Sequence, residues 1–255
     1  MDKLAITGLV VGLGAVYYTM HIGGIASLLF NKEAFILVAG GTAGATMLTY
    51  RWETFRLLPM AVRMMFVPPK TAKLDDLIDT IMRFREQAGT GGIDSIRNDI
   101  GTLENEFMAT GMRMLIEGLP AETIVEEMDI ELNALDDRHQ RLISMFRSMG
   151  AYSPIFGMLG TLIGVIQVLR DLSDATRMGT SMAIAITTTF YGIFACNFLF
   201  LPVAGKLEGF HQSERAEKEL IIEGILAIRR NELPILIRRR LSRFLAGKER
   251  AKGPS

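Results

Sequence analysis

The sequence predicts an all-α membrane protein, with four transmembrane helices and a helical cytoplasmic stalk domain. Three observations lead there. Residues 149–169 and 178–205 contain no Asp, Glu, Lys, Arg or His, and each segment is long enough to cross a hydrocarbon core of about 30 Å. Two further apolar segments, 4–20 and 34–50, lie near the N-terminus. Charge is segregated: of the 28 Lys and Arg, twelve lie in 51–147 and twelve follow Gly205. No stretch shows the two-residue alternation of a half-buried strand.

Residues 4–20 are short for a span, but flanking residues extend them, and Tyr17 and Tyr18 suit a membrane interface. Only Lys3 precedes the segment, no clear small-residue cleavage site follows, and a second apolar segment comes soon after. It therefore reads as a retained span, not a secretory leader. Gly8 and Gly12 in the first segment, and Gly40 and Gly44 in the second, are four apart, a spacing that lets a neighbouring helix approach closely. A short exposed link, 23–32, joins the two spans.

Arg51, Arg56 and Arg63 follow the second span at once. The links 23–32 and 170–177 hold only three Lys and Arg between them. The positive-inside rule therefore places 51–147, the C-terminal tail and both termini in the cytoplasm. Pro68-Pro69 breaks the chain before a helix over 74–87, whose stripe is Leu74, Leu77, Ile78, Ile81 and Phe84. Gly89, Gly91 and Gly92 interrupt it. A second helix is expected over 93–116, a new start at Leu119-Pro120, and a long helix over 122–146. Residues 208–230 and 233–245 continue the last span as amphipathic helix. The chain thus divides into 1–50 (spans one and two), 51–147 (cytoplasmic), 148–207 (spans three and four) and 208–255 (cytoplasmic tail).

Much chemistry is absent. The net charge is zero, which gives no basic field for a nucleic acid. Cys196 is the single cysteine and makes no internal disulfide. There is no phosphate-cradling glycine loop. His21, His139 and His211 are isolated, without metal-ligand spacing, and read as ordinary surface or interfacial residues. The carboxylates of 122–137 look like a solvated helix face. No enzyme, cofactor or metal is expected.

The membrane segments carry the most useful absence, because proton-relaying proteins keep a carboxylate inside the bilayer. None of these four spans has one. Ion conduction here would rest on hydroxyls and carbonyls, or on a carboxylate brought by a partner helix. Gly157, Thr161 and Gly164 share one helical face, Thr187, Thr188 and Thr189 form a hydroxyl run in the next span, and Pro154 and Pro202 lie near the ends of the hairpin.

At these residues the sequence resembles a known family. The run GAYSPIFGMLGTLIGV, a charged turn, and GTSMAIAITTTFYGIFACNFLFLPVAGKL are similar to the last two membrane helices of the flagellar stator family MotA, with its sodium-driven PomA relatives and the more distant ExbB/TolQ group. GLVVGLGAV, AFILVAGGTAGATML and LIIEGILAIRRNELPILIRRRLSRFL extend the likeness over almost the whole chain. The resemblance implies a multi-pass protein of the bacterial inner membrane, five copies of which surround two copies of a MotB/PomB-like partner. That partner brings a single span with an aspartate and a peptidoglycan-binding domain. Transported sodium or protons then drive rotation against a flagellar rotor protein.

By position, the resemblance makes Pro154 and Pro202 conformational hinges and Thr161, Thr188 and Thr189 ion-pathway residues, with a lean towards sodium. The family's rotor-facing Arg and Glu fall on Gly89 and Arg97 here, so one charge is absent and the other reversed. Arg83, Arg85 and Arg97, with Asp94, are the nearby charges that would face a rotor. An ion-driven transducer of the same family, powering envelope transport or gliding, is the alternative. A passive membrane scaffold is a third reading.

Overall fold

In a computed structural model that describes residues 3–24, 29–67 and 72–245, the chain is helical, and no strand occurs among the described residues. In chain order the helices are α1 (Lys3–Ile22), α2 (Lys32–Phe35), α3 (Gly41–Thr49), α4 (Trp52–Phe55), α5 (Leu58–Phe66), α6 (Leu74–Gly91), α7 (Glu106–Ile116), α8 (Ala121–Arg170), α9 (Ala175–Ala195), α10 (Leu201–Arg229) and α11 (Pro234–Leu241). Wider π turns join α2 to α3 over Ile36–Gly40 and α9 to α10 over Cys196–Phe200. By length and apolarity, three helical runs among the described residues suffice to cross a membrane: Leu4–Ile22, Ala121–Arg170 and Ala175–Arg229. The predicted second span begins at Lys32 and is interrupted by the π turn. The predicted Pro68-Pro69 break, and four residues of the first link, lie outside the described residues.

The chain divides into two compact units, Met1–Pro69 with His139–Gly209, and Lys70–Arg138 with Phe210–Ser255. In the first, Ala61 and Met65 of α5 pack with Ile143, Phe146, Phe200 and Val203. The Tyr50 hydroxyl lies 2.8 Å from that of Ser148, and Arg147 pairs with Glu208 at 3.1 Å. The two glycine pairs behave differently from expectation. Among the described residues only Gly12 of the four is packed, against the Phe198 ring, while Gly8, Gly40 and Gly44 meet no neighbour and Gly41 takes the close approach, to Phe156. Spacing marks a smooth stripe, but the neighbour decides which end of it is covered.

The second unit is built on α6. Its apolar stripe has the 3.6-residue period of a one-sided helix, and Asp75 and Asp76 in the first turn favour the positive end of the helix dipole. Ile81 and Phe84 are fully buried with Met108, Met112, Ile124 and Leu220. The helix stops at Gly92, where φ is +77°, a conformation glycine adopts without strain. A single helix over 93–116 does not form. Two tight 3-10 turns, Ile93–Ile96 and Ile100–Thr102, precede α7. Ser95 Oγ bonds the Gly92 carbonyl at 2.6 Å and holds the first turn, and Asn105 starts the helix by accepting from Met108 N–H at 3.0 Å. Short polar side chains outcompeted helix propensity.

At its far end α10 closes with Asn231 at φ +54°, and Glu232 N–H reaches back to the Ala227 carbonyl, the hydrogen-bond pattern of a left-handed helix stop. Arg85 caps this turn. It is buried, and donates to the Glu232 carbonyl at 2.8 Å and to that of Asn231 at 3.3 Å. His211, expected at a surface or interface, is buried instead, with Nε2 3.7 Å from Asp136, which also pairs with Arg215.

Glu217 gives the second unit a pH dependence. Burial raises its carboxyl above the ordinary glutamate range, against the lowering effect of hydrogen bonds from the Ala72 backbone and the Asn105 amide. A raised native pKa means that the native chain binds this proton more tightly than the unfolded chain. The group's contribution to stability is therefore complete below the unfolded pKa and is lost as pH rises through the native one. Glu217→Gln should thus raise the thermal midpoint of the detergent-purified protein at pH 7, with the gain vanishing near pH 4. A gain independent of pH would contradict this.

Candidate functional site: a glycine-packed helix hairpin

The predicted ion-pathway residues lie on α8 and α9, which form an antiparallel hairpin closed by a charged turn. Arg170 pairs with Asp171 at 3.1 Å. Asp174 caps α9 by accepting from Thr176 N–H at 3.0 Å and Arg177 N–H at 3.2 Å. Away from the turn the two helices come into backbone contact, because glycines remove the side chains that would separate them. A Cβ added at Gly157 would stand 2.9 Å from the Thr188 carbonyl oxygen, one at Gly164 2.9 Å from that of Ser181, and one at Gly192 2.5 Å from that of Ser153. Gly160 receives the Thr188 side chain. The packed face is therefore Gly157, Gly160 and Gly164. Thr161, expected on it, is only partly buried.

The threonines do not form one cluster of linked hydroxyls. Thr161 Oγ1 donates to the Met158 carbonyl of its own helix at 2.5 Å, and buried Thr188 Oγ1 donates to that of Ala185 at 2.8 Å. Thr189 reaches across, donating to the Gly157 carbonyl at 3.2 Å. One turn away, buried Ser153 returns the bond, Oγ to the Gly192 carbonyl, at 3.0 Å. These two reciprocal bonds tie the helices together where they are closest. Ser153, Gly160 and Gly192 belong to the site although their chemistry alone did not single them out.

Both prolines are in helix. Pro154 lies inside α8 beside Gly192; lacking an N–H, it supplies no bond to the Gly150 carbonyl four residues back. Pro202 opens α10 directly after the π turn, in which Leu201 N–H bonds the Cys196 carbonyl five residues back. A widened turn is where a helix absorbs a proline's missing donor. Among the rotor-facing candidates, Arg83 is exposed, and Arg97 is exposed and paired with Asp94 at 3.1 Å. Arg85 points into its own unit. No group of three His, Cys, Asp or Glu side chains suited to a metal occurs among the described residues.

Residues 99–220 match the model of the MotA/TolQ/ExbB proton channel family. Motility protein A of Treponema pallidum is 31% identical over 98% of this chain and 96% of its own length. The chain belongs to this family. The chemotaxis protein PomA of Vibrio alginolyticus is 28% identical, with 98% of each chain covered. Among solved structures, that of the flagellar MotAB stator complex from Bacillus subtilis superimposes with a TM-score of 0.90 at 28% identity, covering 100% of both chains. The likeness to family members therefore extends beyond the matched segment to α1–α6 and to α11.

Proposed function

We propose that this chain is the MotA-type stator subunit of a bacterial flagellar motor, converting the flow of sodium ions or protons into rotation. The observation that carries this is the end-to-end likeness in fold to a solved MotAB stator. The two apolar segments of the hairpin, 149–169 and 178–205, which hold no carboxylate, fit it. Five copies enclose two copies of a single-span, peptidoglycan-binding MotB/PomB-like partner, whose membrane aspartate supplies the missing charge. One charge crossing 100 mV releases about 2.3 kcal/mol, so torque accumulates over many passages. The protein crosses the inner membrane four times with both termini in the cytoplasm, spans three and four falling in 148–207 and the cytoplasmic parts in 51–147 and 208–255. Arg83 and Arg97 face the rotor. Pro154 and Pro202 are its hinges, and Thr161, Thr188 and Thr189 border the ion path.

Gly89 and Arg97, at the family's two charged positions, favour one second reading, an ion-driven transducer that moves something other than a flagellar rotor. Both readings require ion flow. In vesicles holding this chain and its single-span partner, ion uptake should disappear when the partner's membrane aspartate becomes asparagine, with the complex still intact. Uptake indifferent to that aspartate would overturn the proposal.

Thr189 gives a sharper prediction. Its hydroxyl is committed to the Gly157 carbonyl, so Thr189→Ala should reduce ion-driven work at least tenfold while the protein stays in the membrane, and Thr189→Ser should preserve it. Torque on a tethered cell reads both. Equal torque in all three proteins would show that the hydroxyl only fills space.

A further inference from the structure

The hairpin leaves unused an apolar cavity of about 1010 Å³ between α2–α3 and the stretch from Tyr191 to Phe200. Its walls include Phe35, Val38, Ala39, Phe194, Leu199 and Phe200. At one end stands Lys32, exposed and without an ion-pair partner among the described residues. At the other is Thr42, ten residues further along. At 1.5 Å per residue that is about 15 Å, the depth of one leaflet of a hydrocarbon core roughly 30 Å thick. A cleft of this depth, apolar along its length and cationic at its interfacial end, matches an amphiphile with one anionic head.

We propose that this cleft is a binding site for an anionic phospholipid, its acyl chain lying between α3 and α9 and its phosphate on Lys32. The inference rests on residues 32–49 being a membrane span and goes beyond the stator reading. Asn31 fixes the head-group end. Its side chain caps α2 by accepting from Ala34 N–H at 3.0 Å, and its backbone N–H donates to the Tyr191 hydroxyl at 3.3 Å. The same hydroxyl donates to the Leu29 carbonyl. The start of α2, where Lys32 stands, is thereby tied to α9 across the mouth of the cleft.

The wall has one polar exception. Thr42 is 2% exposed, and its hydroxyl has no hydrogen-bond partner among the described residues. Thr46 and Thr49 of the same helix bond the carbonyls four residues before them, at 2.7 and 2.8 Å. Hydrocarbon offers Thr42 nothing, which separates a lipid tail from a guest that hydrogen-bonds.

The test uses the intact complex with its partner, exchanged into detergent with added phosphatidylglycerol and read by native mass spectrometry. One phosphatidylglycerol per chain should be retained. Ala39→Trp, which fills the cleft, should lower retention at least fivefold. Lys32→Gln should lower it about threefold, and Thr42→Val should leave it unchanged. Equal retention in Ala39→Trp would overturn the proposal, as would a loss confined to Thr42→Val, the mark of a hydrogen-bonding guest. Should Ala39→Trp fail to assemble, a photo-crosslinking residue at position 39 decides. A lipid adduct is expected, and an adduct to a second copy of the chain would refute the site.

Discussion

Replacing Gly192 by leucine is expected to deplete the complex from the membrane by more than tenfold. The added Cβ alone would stand 2.5 Å from the Ser153 carbonyl oxygen and 3.0 Å from Pro154 Cα. Both are backbone atoms of a packed helix, so no rotamer change relieves the clash and α8 and α9 must part. Parting breaks the bonds from Ser153 to the Gly192 carbonyl and from Thr189 to the Gly157 carbonyl, and no water within the membrane replaces them. Gly40→Ala is the control. A Cβ there meets nothing within 4 Å among the described residues, and membrane levels should stay within about a third of normal. Quantifying the protein in membrane fractions checks both. Normal levels of Gly192→Leu would mean that the hairpin is held elsewhere.

Pro154→Leu should have the opposite signature: normal amounts of assembled protein and torque below a tenth of normal. Leucine supplies the N–H that proline lacks, restoring a bond to the Gly150 carbonyl, and removes a ring that costs a helix interior about 3 kcal/mol. A helix with that bond restored is more stable and less able to bend. A hinge mutant therefore loses work and not protein, whereas a packing mutant loses both. Bead rotation in cells with matched membrane levels separates them. Full torque from Pro154→Leu would remove the hinge from the mechanism, and the Pro202 hinge would lose its main support with it.

The difference between these residues also shows what the sequence disclosed. The hairpin was legible, because two uncharged segments joined by Arg170, Asp171, Asp174 and Arg177 have few other folds available. Given that turn, its partners were legible too. Ser153 and Gly192, Gly157 and Thr188, and Gly164 and Ser181 are each equidistant from Leu172-Ser173, which is how antiparallel helices meet. The direction of each hydroxyl was not, because a helical threonine chooses between its own carbonyls and a neighbour's according to the gap, and the gap depends on glycines elsewhere.

Arg85 and His211 show the same limit in the second unit. As letters they are a charge near a glycine run and a lone imidazole. What buries them is a turn 146 residues away for Arg85 and an aspartate on another helix for His211. Local pattern likewise overcalled helix before α7, where Gly92, Ser95 and Asn105 each bond the backbone in ways that a periodicity count does not register. In the membrane segments the sequence showed what was missing, a carboxylate, more clearly than what was present.

The most direct test of the stator assignment is made on a strain deleted for this chain, with filaments counted by electron microscopy and swimming tracked in the same culture. The expected result is cells with a normal number of filaments and no swimming, restored by the native chain and not by Pro154→Leu. Undiminished swimming, in a strain with no second stator gene, would contradict the assignment. It would turn attention to the non-flagellar transducer that Gly89 and Arg97 favour.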